Sequence, residues 1–166
     1  AEMIEEVVVT AELRAVALSE AAGSISLLTP DDRADVVNHL EEVLARAVNV
    51  NIASGASRAR FVQMRGIGER GQFAEPLNAS VGLQIDGVDF SGIGTAATLF
   101  DVSQIEVLRG PQGTLFGKNT TGGLVNIIRG DVTMEWGGDF SVALDEHGRE
   151  DVKGVVNVPL IDDTLG

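Results

Sequence analysis

Two glycine-rich runs carry the clearest hints of chemistry in this sequence. GIGERG, Gly66 to Gly71, matches G-x-G-x-x-G, and Asp86 stands twenty residues after Gly66, where a ribose-binding carboxylate belongs. In that motif the glycines let the backbone approach a pyrophosphate, and a helix starting just after them supplies free N–H groups and a favourable dipole. The next residues are QFAEPLNASV, with Pro76 and no helical apolar stripe, so the expectation is a loop. The second run, GPQGTLFGKNTTGG, places Lys118 after Gly117 as a phosphate loop would. It carries Gln112 where the first glycine is needed and Asn119 where a hydroxyl must meet magnesium, so tight turns are expected instead. His39 and His147 lie far apart, with no carboxylates spaced to complete a metal site. No nucleophile elbow or paired acid and base stands out. The residues therefore nominate no catalytic group, no cofactor and no metal.

Composition narrows the partners. The chain has 166 residues, enough for one ordinary domain, and 44% are hydrophobic, which argues against wholesale disorder. Acidic side chains number 25 against 12 basic, a net charge of −13, which disfavours nucleic acid because binding it relies on Lys and Arg. Cysteine is absent, excluding disulfides and thiolate chemistry. No stretch approaches the ~18 apolar residues of a membrane helix, and the opening residues contain no basic n-region or apolar h-region of a signal peptide. The opening residues are compatible with a mature form whose signal was removed, or with a chain that never had one.

The elements that would position any site can be read from periodicity. Ile4 to Ala11 is a β-prone run rich in branched residues, and Ser24 to Leu28 is a second strand candidate. Thr29, Pro30 and Asp32 read as a helix start, with Val36, Val37, Leu40, Val43, Leu44 and Ala47 at helical spacing. That predicts a helix from about Pro30 to Ala47, with Asn49 suited to a left-handed exit. Strands are expected over Phe61 to Arg65, Val81 to Ile85, Ile105 to Leu108 and Leu124 to Ile128, with an Asp86–Gly87 turn and a short helix near Leu99 to Ser103. The fold class expected is α+β: a small mixed sheet with short helices and Gly-rich loops.

The last segment alternates. Trp136, Phe140, Val142 and Leu144 share one parity against Asp139, Ser141 and Asp145; after the polar break EHGRED, Val152, Val156, Val158 and Leu160 oppose Lys153 and Asn157. Nine residues of strand reach roughly 30 Å, which tilted by about 40° rises a little over 20 Å, near the ~25 Å apolar band of an outer-membrane barrel. A half-buried soluble hairpin has the same pattern.

Three stretches together resemble the TonB-dependent outer-membrane receptor family. EEVVVTA, Glu5 to Ala11, is similar to the TonB box, with Glu6 where a hydroxyl residue is usual. VQMRGIG followed by VGLQIDGV looks like the paired plug strands with their R-G and I-D-G-V signatures. LFDVSQIEVLRGPQGTLFGKNTTGGLVNIIRG, Leu99 to Gly130, resembles the family's I-E-V-L-R-G-P-Q-G-T-L-[FY]-G block and the G-G-x-x-N-I-I after it. The chain departs from the family at Val48 and Asn49, where Pro-Gly is frequent, and at RGDVTMEWGG, where the link to the barrel is usually basic.

The resemblance implies an α+β plug inside the lumen of a barrel of about 22 strands. Residues 1–12 would be the TonB box and N-terminal extension, 13–130 the plug, and 131–166 the first hairpin of a truncated transmembrane β-barrel, the chain being a fragment. It implies a gated, energy-coupled transporter of a Gram-negative outer membrane, not an enzyme. The partners would be the TonB C-terminal domain, the remainder of the barrel, and a scarce small solute, most often a ferric siderophore. Glu5, Glu6, Val7, Val8, Val9, Thr10 and Ala11 would bind TonB by strand addition. Arg65 and Arg109, with Glu106, match plug residues at the barrel wall, the alternative being local pairing of the arginines with Glu106 or exposure to solvent. The outward loops Ala53 to Ala59, Gly68 to Asn78 and Phe90 to Thr98 would meet the solute, through Ser57, Arg58, Arg60, Glu69, Arg70, Gln72, Phe73, Phe90 and Thr95. Two other readings stand beside this one: a free-standing plug-like periplasmic binding or interaction domain, and a nucleotide-dependent enzyme built on GIGERG. The apolar face of the last hairpin separates the first, and a nicotinamide-binding assay the second.

Overall fold

The computed structural model describes residues 8–9, 16–29, 39–54, 59–70, 79–93, 99–131, 133–144, 148 and 150–160. Strands dominate them. β1 (Val8–Val9) pairs antiparallel with β2 (Val16–Ala17). β3 (Ser24–Leu28), α1 (Leu40–Leu44), β4 (Val50–Ser54) and β5 (Ala59–Met64) come after them. Next are β6 (Val81–Ile85), β7 (Val88–Asp89), β8 (Val102–Arg109), α2 (Gly113–Phe116) and β9 (Gly123–Arg129). β10 (Gly137–Leu144) and β11 (Glu150–Asn157) complete the order. The chain divides into two compact units, Ala1–Arg129 and Gly130–Gly166.

The first unit is organised by a five-stranded sheet in the order β3-β8-β9-β6-β7. β8 runs antiparallel to β3 and β9, while β6 runs parallel to β9, so the sheet is mixed. Period-2 alternation sorts its side chains. One face carries Ile105, Val107, Val125, Ile127, Val81 and Leu83, all buried against Leu40, Val43 and Leu44 of α1 and Val62 and Met64 of β5. Burying each such side chain contributes about 1.5–3 kcal/mol, so this layer accounts for most of the hydrophobic stabilisation. The opposite face holds Leu108 and Leu124 with Val9, backed by Ile25, Leu27 and Phe116.

The expected helix is shorter in its described part. Residues 30–38, including Pro30, Asp32, Val36 and Val37, lie outside the described residues. From Leu40 the stripe behaves as expected: Leu40, Val43, Leu44 and Ala47 are buried. The Glu42 carboxylate accepts the His39 N–H at 3.4 Å, half of a capping box. Asn49 has φ +60, the left-handed exit expected of it. The Asp86–Gly87 turn has both residues at positive φ, +47 and +79, the mirror-image turn that suits strand twist, and it joins β6 to β7.

One element differs from expectation. Leu99 to Ser103 forms no helix: Asp101 sits at φ +52 and the chain enters β8 at Val102. Leu99 and Val102 have helical spacing, but pairing of Val102 with Arg129 of β9 satisfies more backbone groups than one helical turn would. Gly123 explains the second of the paired glycines. It lies at φ +151, and a Cβ there would stand 2.5 Å from the Leu108 carbonyl oxygen, so only glycine lets β8 and β9 close at this point.

The second unit is an antiparallel hairpin in which Gly137 faces Asn157 and Leu144 faces Glu150. That register puts Phe140, Val142, Leu144, Val152 and Val156 on one face. These apolar side chains are 56–76% exposed, whereas Asp151, Lys153, Val155 and Asn157 on the other face are half-buried. Trp136 precedes the strand and is exposed. Among the described residues no helix is long and apolar enough to cross a membrane, a statement that does not bear on strands.

Candidate functional site

The residues expected to act fall at three places. The first is the amino-terminal strand. Of Glu5 to Ala11, only Val8 and Val9 are described; Glu5, Glu6, Val7, Thr10 and Ala11 lie outside. β1 is extended, as branched residues favour, and pairs Val8 with Ala17 and Val9 with Val16. Alternation turns Val9 inward, fully buried against Leu108 and Leu124, and leaves Val8 40% exposed. Those two leucines flank the 110–123 connection between β8 and β9. The strand is thus seated where the glycine block leaves β8 and enters β9.

The second place is the end of β8. Arg109 is buried on the α1 side of the sheet. Its Nε donates to the Val48 carbonyl at 3.0 Å and its Nη1 to Ser26 Oγ at 2.9 Å, and its buried Nη2 has no partner. Burial, followed by the nearby Arg65 charge, pulls its pKa below the ordinary guanidinium value. Arg65 is exposed at φ +53 after β5, with its N–H bonded to the Asn49 carbonyl at 3.0 Å. Two cations approach each other here, and the acceptors of Arg109 are neutral. Charges so placed call for a carboxylate.

Glu106 is not that carboxylate. Three residues from Arg109 on one strand, it projects from the opposite face, so local pairing between them is excluded by the pleat. Its Oε1 accepts from Gln104 Nε2 and its Oε2 from Asn126 Nδ2, both at 3.0 Å. Glu106, Asn126 and Gln84 sit side by side in register on β8, β9 and β6, all buried, with Gln84 Nε2 donating to the Phe116 carbonyl at 3.4 Å. Strand alternation puts Gln104 and Glu106 on one face. Which strand brought Asn126 to them required the register.

The third place is the set of loops. Ser57, Arg58, Gln72, Phe73 and Thr95 lie outside the described residues, and Arg60 is described only in its backbone, within β5. Phe90 packs half-buried against the main core, with its N–H on the Leu83 carbonyl at 2.8 Å. Glu69 spends its carboxylate on Ser80, whose N–H and hydroxyl donate to Oε1 at 2.9 and 2.6 Å. Arg70 is exposed beside it. Ser80 and Gln63, which hydrogen-bond Glu69, are residues that sequence reasoning missed: Gln63 lies within VQMRGIG, but nothing in that pattern marks its side chain as a partner of Glu69.

The glycine decoys resolve as turns. Met64 and Ile67 exchange backbone hydrogen bonds at 2.8 and 2.9 Å around Arg65–Gly66, and residues 68–70 continue without helix. Gly113 to Phe116 is one helical turn, closed by Gly117 at φ +75. His39 stands at the start of α1, and His147 lies outside the described residues. No cluster of metal-ligating side chains occurs among the described residues.

At the β6–β7 turn, Asp86 accepts the Arg129 N–H at 3.1 Å and pairs with the Arg129 side chain. Burial raises the Asp86 pKa, but the Arg129 hydrogen bonds and charge outweigh it and hold the carboxyl below its usual range. Asp89 is lowered likewise: burial raises it, while Ser91, Asn119 and Lys118 together prevail. Both carboxylates brace loops.

The TonB-dependent Receptor Plug Domain model matches residues 17–124, more than half the chain, and the chain belongs to that family. A probable TonB-dependent siderophore receptor of Acinetobacter baumannii is 30% identical over 98% of this chain and 24% of its own length. The pesticin receptor of Yersinia enterocolitica is 42% identical over 45% of this chain and 11% of its own. Among solved structures, the ferric yersiniabactin uptake receptor of Yersinia pestis superposes with a TM-score of 0.71 at 26% identity, covering 84% of this chain and 22% of that one. The chain therefore spans between about a tenth and a quarter of the length of these relatives.

Proposed function

We propose that this chain is the plug region of a receptor in the outer membrane of a Gram-negative bacterium, gating TonB-coupled uptake of a scarce solute, with a ferric siderophore as the expected cargo. In this reading residues 1–12 carry the TonB handle, 13–130 form the plug, and 131–166 are the first hairpin of the surrounding barrel. The observation that carries it is the face pattern of β10 and β11. Their apolar side chains share one exposed face, while Asp151, Lys153 and Asn157 on the opposite face of β11 are partly covered and Asp139 and Ser141 of β10 are exposed. That is the arrangement of a strand pair with lipid outside and a polar lumen within.

Each part then has a physical task. Val8 and Val9 offer an extended edge: β2 occupies one side of β1, and strand addition by the TonB C-terminal domain takes the other or displaces β2. Arg109 and Arg65 find their carboxylates on the inner wall of the barrel, which removes the cost of a buried unpaired guanidinium. In this reading the segments 53–59, 68–78 and 90–98 are the solute-facing ones, which makes Ser57, Arg58, Arg60, Arg70, Gln72, Phe73 and Thr95 the candidate contacts; of these only the Arg70 side chain lies among the described residues, and it is exposed. Two of the three relatives are named for iron carriers, a siderophore receptor and a ferric yersiniabactin uptake receptor.

Uptake of iron-labelled ferric yersiniabactin and ferripyoverdine by cells bearing the barrel-complete receptor, with and without TonB, tests the reading. TonB-dependent accumulation of either supports it. Accumulation of neither, together with no binding of either to the receptor, sinks the siderophore assignment. For the handle, Val8→Pro removes an N–H and fixes φ, so affinity for the TonB C-terminal domain should fall at least about tenfold. Unchanged affinity would remove Val8 from the handle.

A further inference from the structure

Where the chain leaves the five-stranded sheet, residues from three strands grip the last residue of β9. Asp86 follows β6, Ser103 lies near the start of β8, and Arg129 ends β9. We infer that these three form a latch that sets the length of the tether between the two compact units. With the latch closed the linker begins at Gly130, and with it open the linker begins two residues earlier. The inference goes beyond the plug reading and does not depend on it.

The register of the sheet builds the latch. β6 pairs with β9 as far as Ile85 and Ile127, and Asp86 stands one residue beyond. Its N–H donates to the Ile127 carbonyl at 3.0 Å, its Oδ1 accepts the Arg129 N–H at 3.1 Å, and its Oδ2 accepts from Arg129 Nε. Asp tolerates the φ of +47 that this turn position requires. On the other side of β9, β8 pairs Val102 with Arg129 and Gln104 with Ile128, which leaves Ser103 as the extra residue of a bulge. A bulge re-aims the side chain it carries. Ser103 Oγ shares its one proton between the Ile128 and Arg129 carbonyls, at 3.1 and 3.2 Å. The last three carbonyls of β9, the final N–H and the final side chain are therefore all held.

This grip exceeds that of a lone surface ion pair and falls short of the core. An exposed carboxylate–guanidinium contact contributes little by itself. Here the same carboxylate also accepts a backbone N–H, and charge-assisted bonds are about twice as strong as neutral ones. The Asp86 hydrogen bond and charge, with a further contribution from Asp101 at the entry to β8, raise the Arg129 pKa above the ordinary guanidinium value. The side chains of Arg129 and Asp86 are 64% and 36% exposed, so water reaches the latch and it can open while the buried centre of the sheet stays closed. Opening unzips the last two pairs of β9 with β8, and two residues of extended chain add up to about 7 Å of reach. The boundary between the compact units falls directly after Arg129, so that reach goes to the connection between them.

Hydrogen exchange on the full-length protein tests the latch. Asp86→Asn keeps a residue suited to the turn and removes the charge, while Ser103→Ala removes the hydroxyl. Each should speed exchange of the Arg129 amide at least about threefold, and the two together at least about tenfold, with the Leu83, Val107 and Val125 amides unchanged. Ser103→Thr keeps the hydroxyl and should stay within about twofold of wild type. No change at Arg129 in the double variant, or an equal acceleration at Val107 and Val125, overturns the latch. Tether length is read separately. This sequence has no cysteine, so Val48→Cys and Asp131→Cys, both at exposed positions, take a pair of spin labels. The distance distribution between them should widen when Asp86→Asn and Ser103→Ala are added, its upper edge moving out by as much as about 7 Å. A distribution of unchanged width overturns the tether role even where exchange at Arg129 has risen. Neither measurement uses a solute or TonB, so both judge the latch whether or not the plug reading holds.

Discussion

Replacing Gly123 by alanine should cost the sheet far more than replacing Gly122, although the two are neighbours in one G-G pair. At Gly123 the backbone is at φ +151, and the added methyl would meet the Leu108 carbonyl oxygen at 2.5 Å, inside the β8–β9 ladder. Backbone strain of this kind costs about 1–3 kcal/mol. Pushing two paired strands apart adds about 1–3 kcal/mol, as overpacking generally does. We expect roughly 3–4 kcal/mol in total from these two costs. At Gly122 the nearest atom to an added methyl is Ile67 Cγ2 at 2.8 Å, and Ile67 is half-exposed, so it can turn away. That substitution should cost below about 1 kcal/mol. Urea unfolding monitored by far-UV circular dichroism reads the difference. With a slope of about 2 kcal/mol per molar urea, the Gly123→Ala midpoint should fall by about 1.5–2 M and that of Gly122→Ala by less than about 0.5 M. Equal shifts, or a Gly123→Ala midpoint within about 0.3 M of wild type, would refute the argument from φ and close approach.

The same geometry fixes three further outcomes. Arg109→Met removes a buried guanidinium with an unmatched Nη2, so in the isolated chain its stability should lie within about 1 kcal/mol of wild type or above it; a loss above about 3 kcal/mol would reveal a local charge partner. Asp86 has its folded pKa lowered by Arg129, so its contribution is complete above the unfolded value near 3.9 and is lost as pH falls through the lower folded value. The stability gap between wild type and Asp86→Asn should accordingly be flat from neutral pH to about 5 and close below about 4; a gap that widens on acidification has the wrong sign. Leu124→Ala, at a fully buried site beneath Val9, should cost about 2–5 kcal/mol in denaturant, whereas Val156→Ala, 76% exposed, should stay within about 0.5 kcal/mol in water. Comparable losses for the two would mean that the hairpin face is covered.

Much of the scaffold was legible because local signals agreed with the tertiary outcome. Val81 to Ile85 alternates and ends in Asp86–Gly87, and the structure has the strand at those residues with the mirror-image turn after it. The parity of Phe140, Val142 and Leu144 against Val152 and Val156 survives as one face of a hairpin in register. Leu99 to Ser103 misled because helical spacing and strand pairing compete within five residues, and only the presence of β9 decides between them.

The candidate site was legible as residue types and opaque as partnerships. The type of residue at each position and the parity of each strand are properties of the chain alone. The resemblance to the plug family placed Arg109, Glu106 and Glu69 among the residues to watch, and the glycine block that carries that resemblance is itself a linear pattern. Which groups meet is a property of register and of long-range closure. Arg109 joins Ser26 and Val48 across the sheet, Glu106 turns to Asn126 on the neighbouring strand, and Glu69 folds back on Ser80. Hydrogen bonds and buried charges are satisfied by whatever the fold brings within about 3 Å. That distance is set by how distant segments pack, and a linear pattern does not contain it.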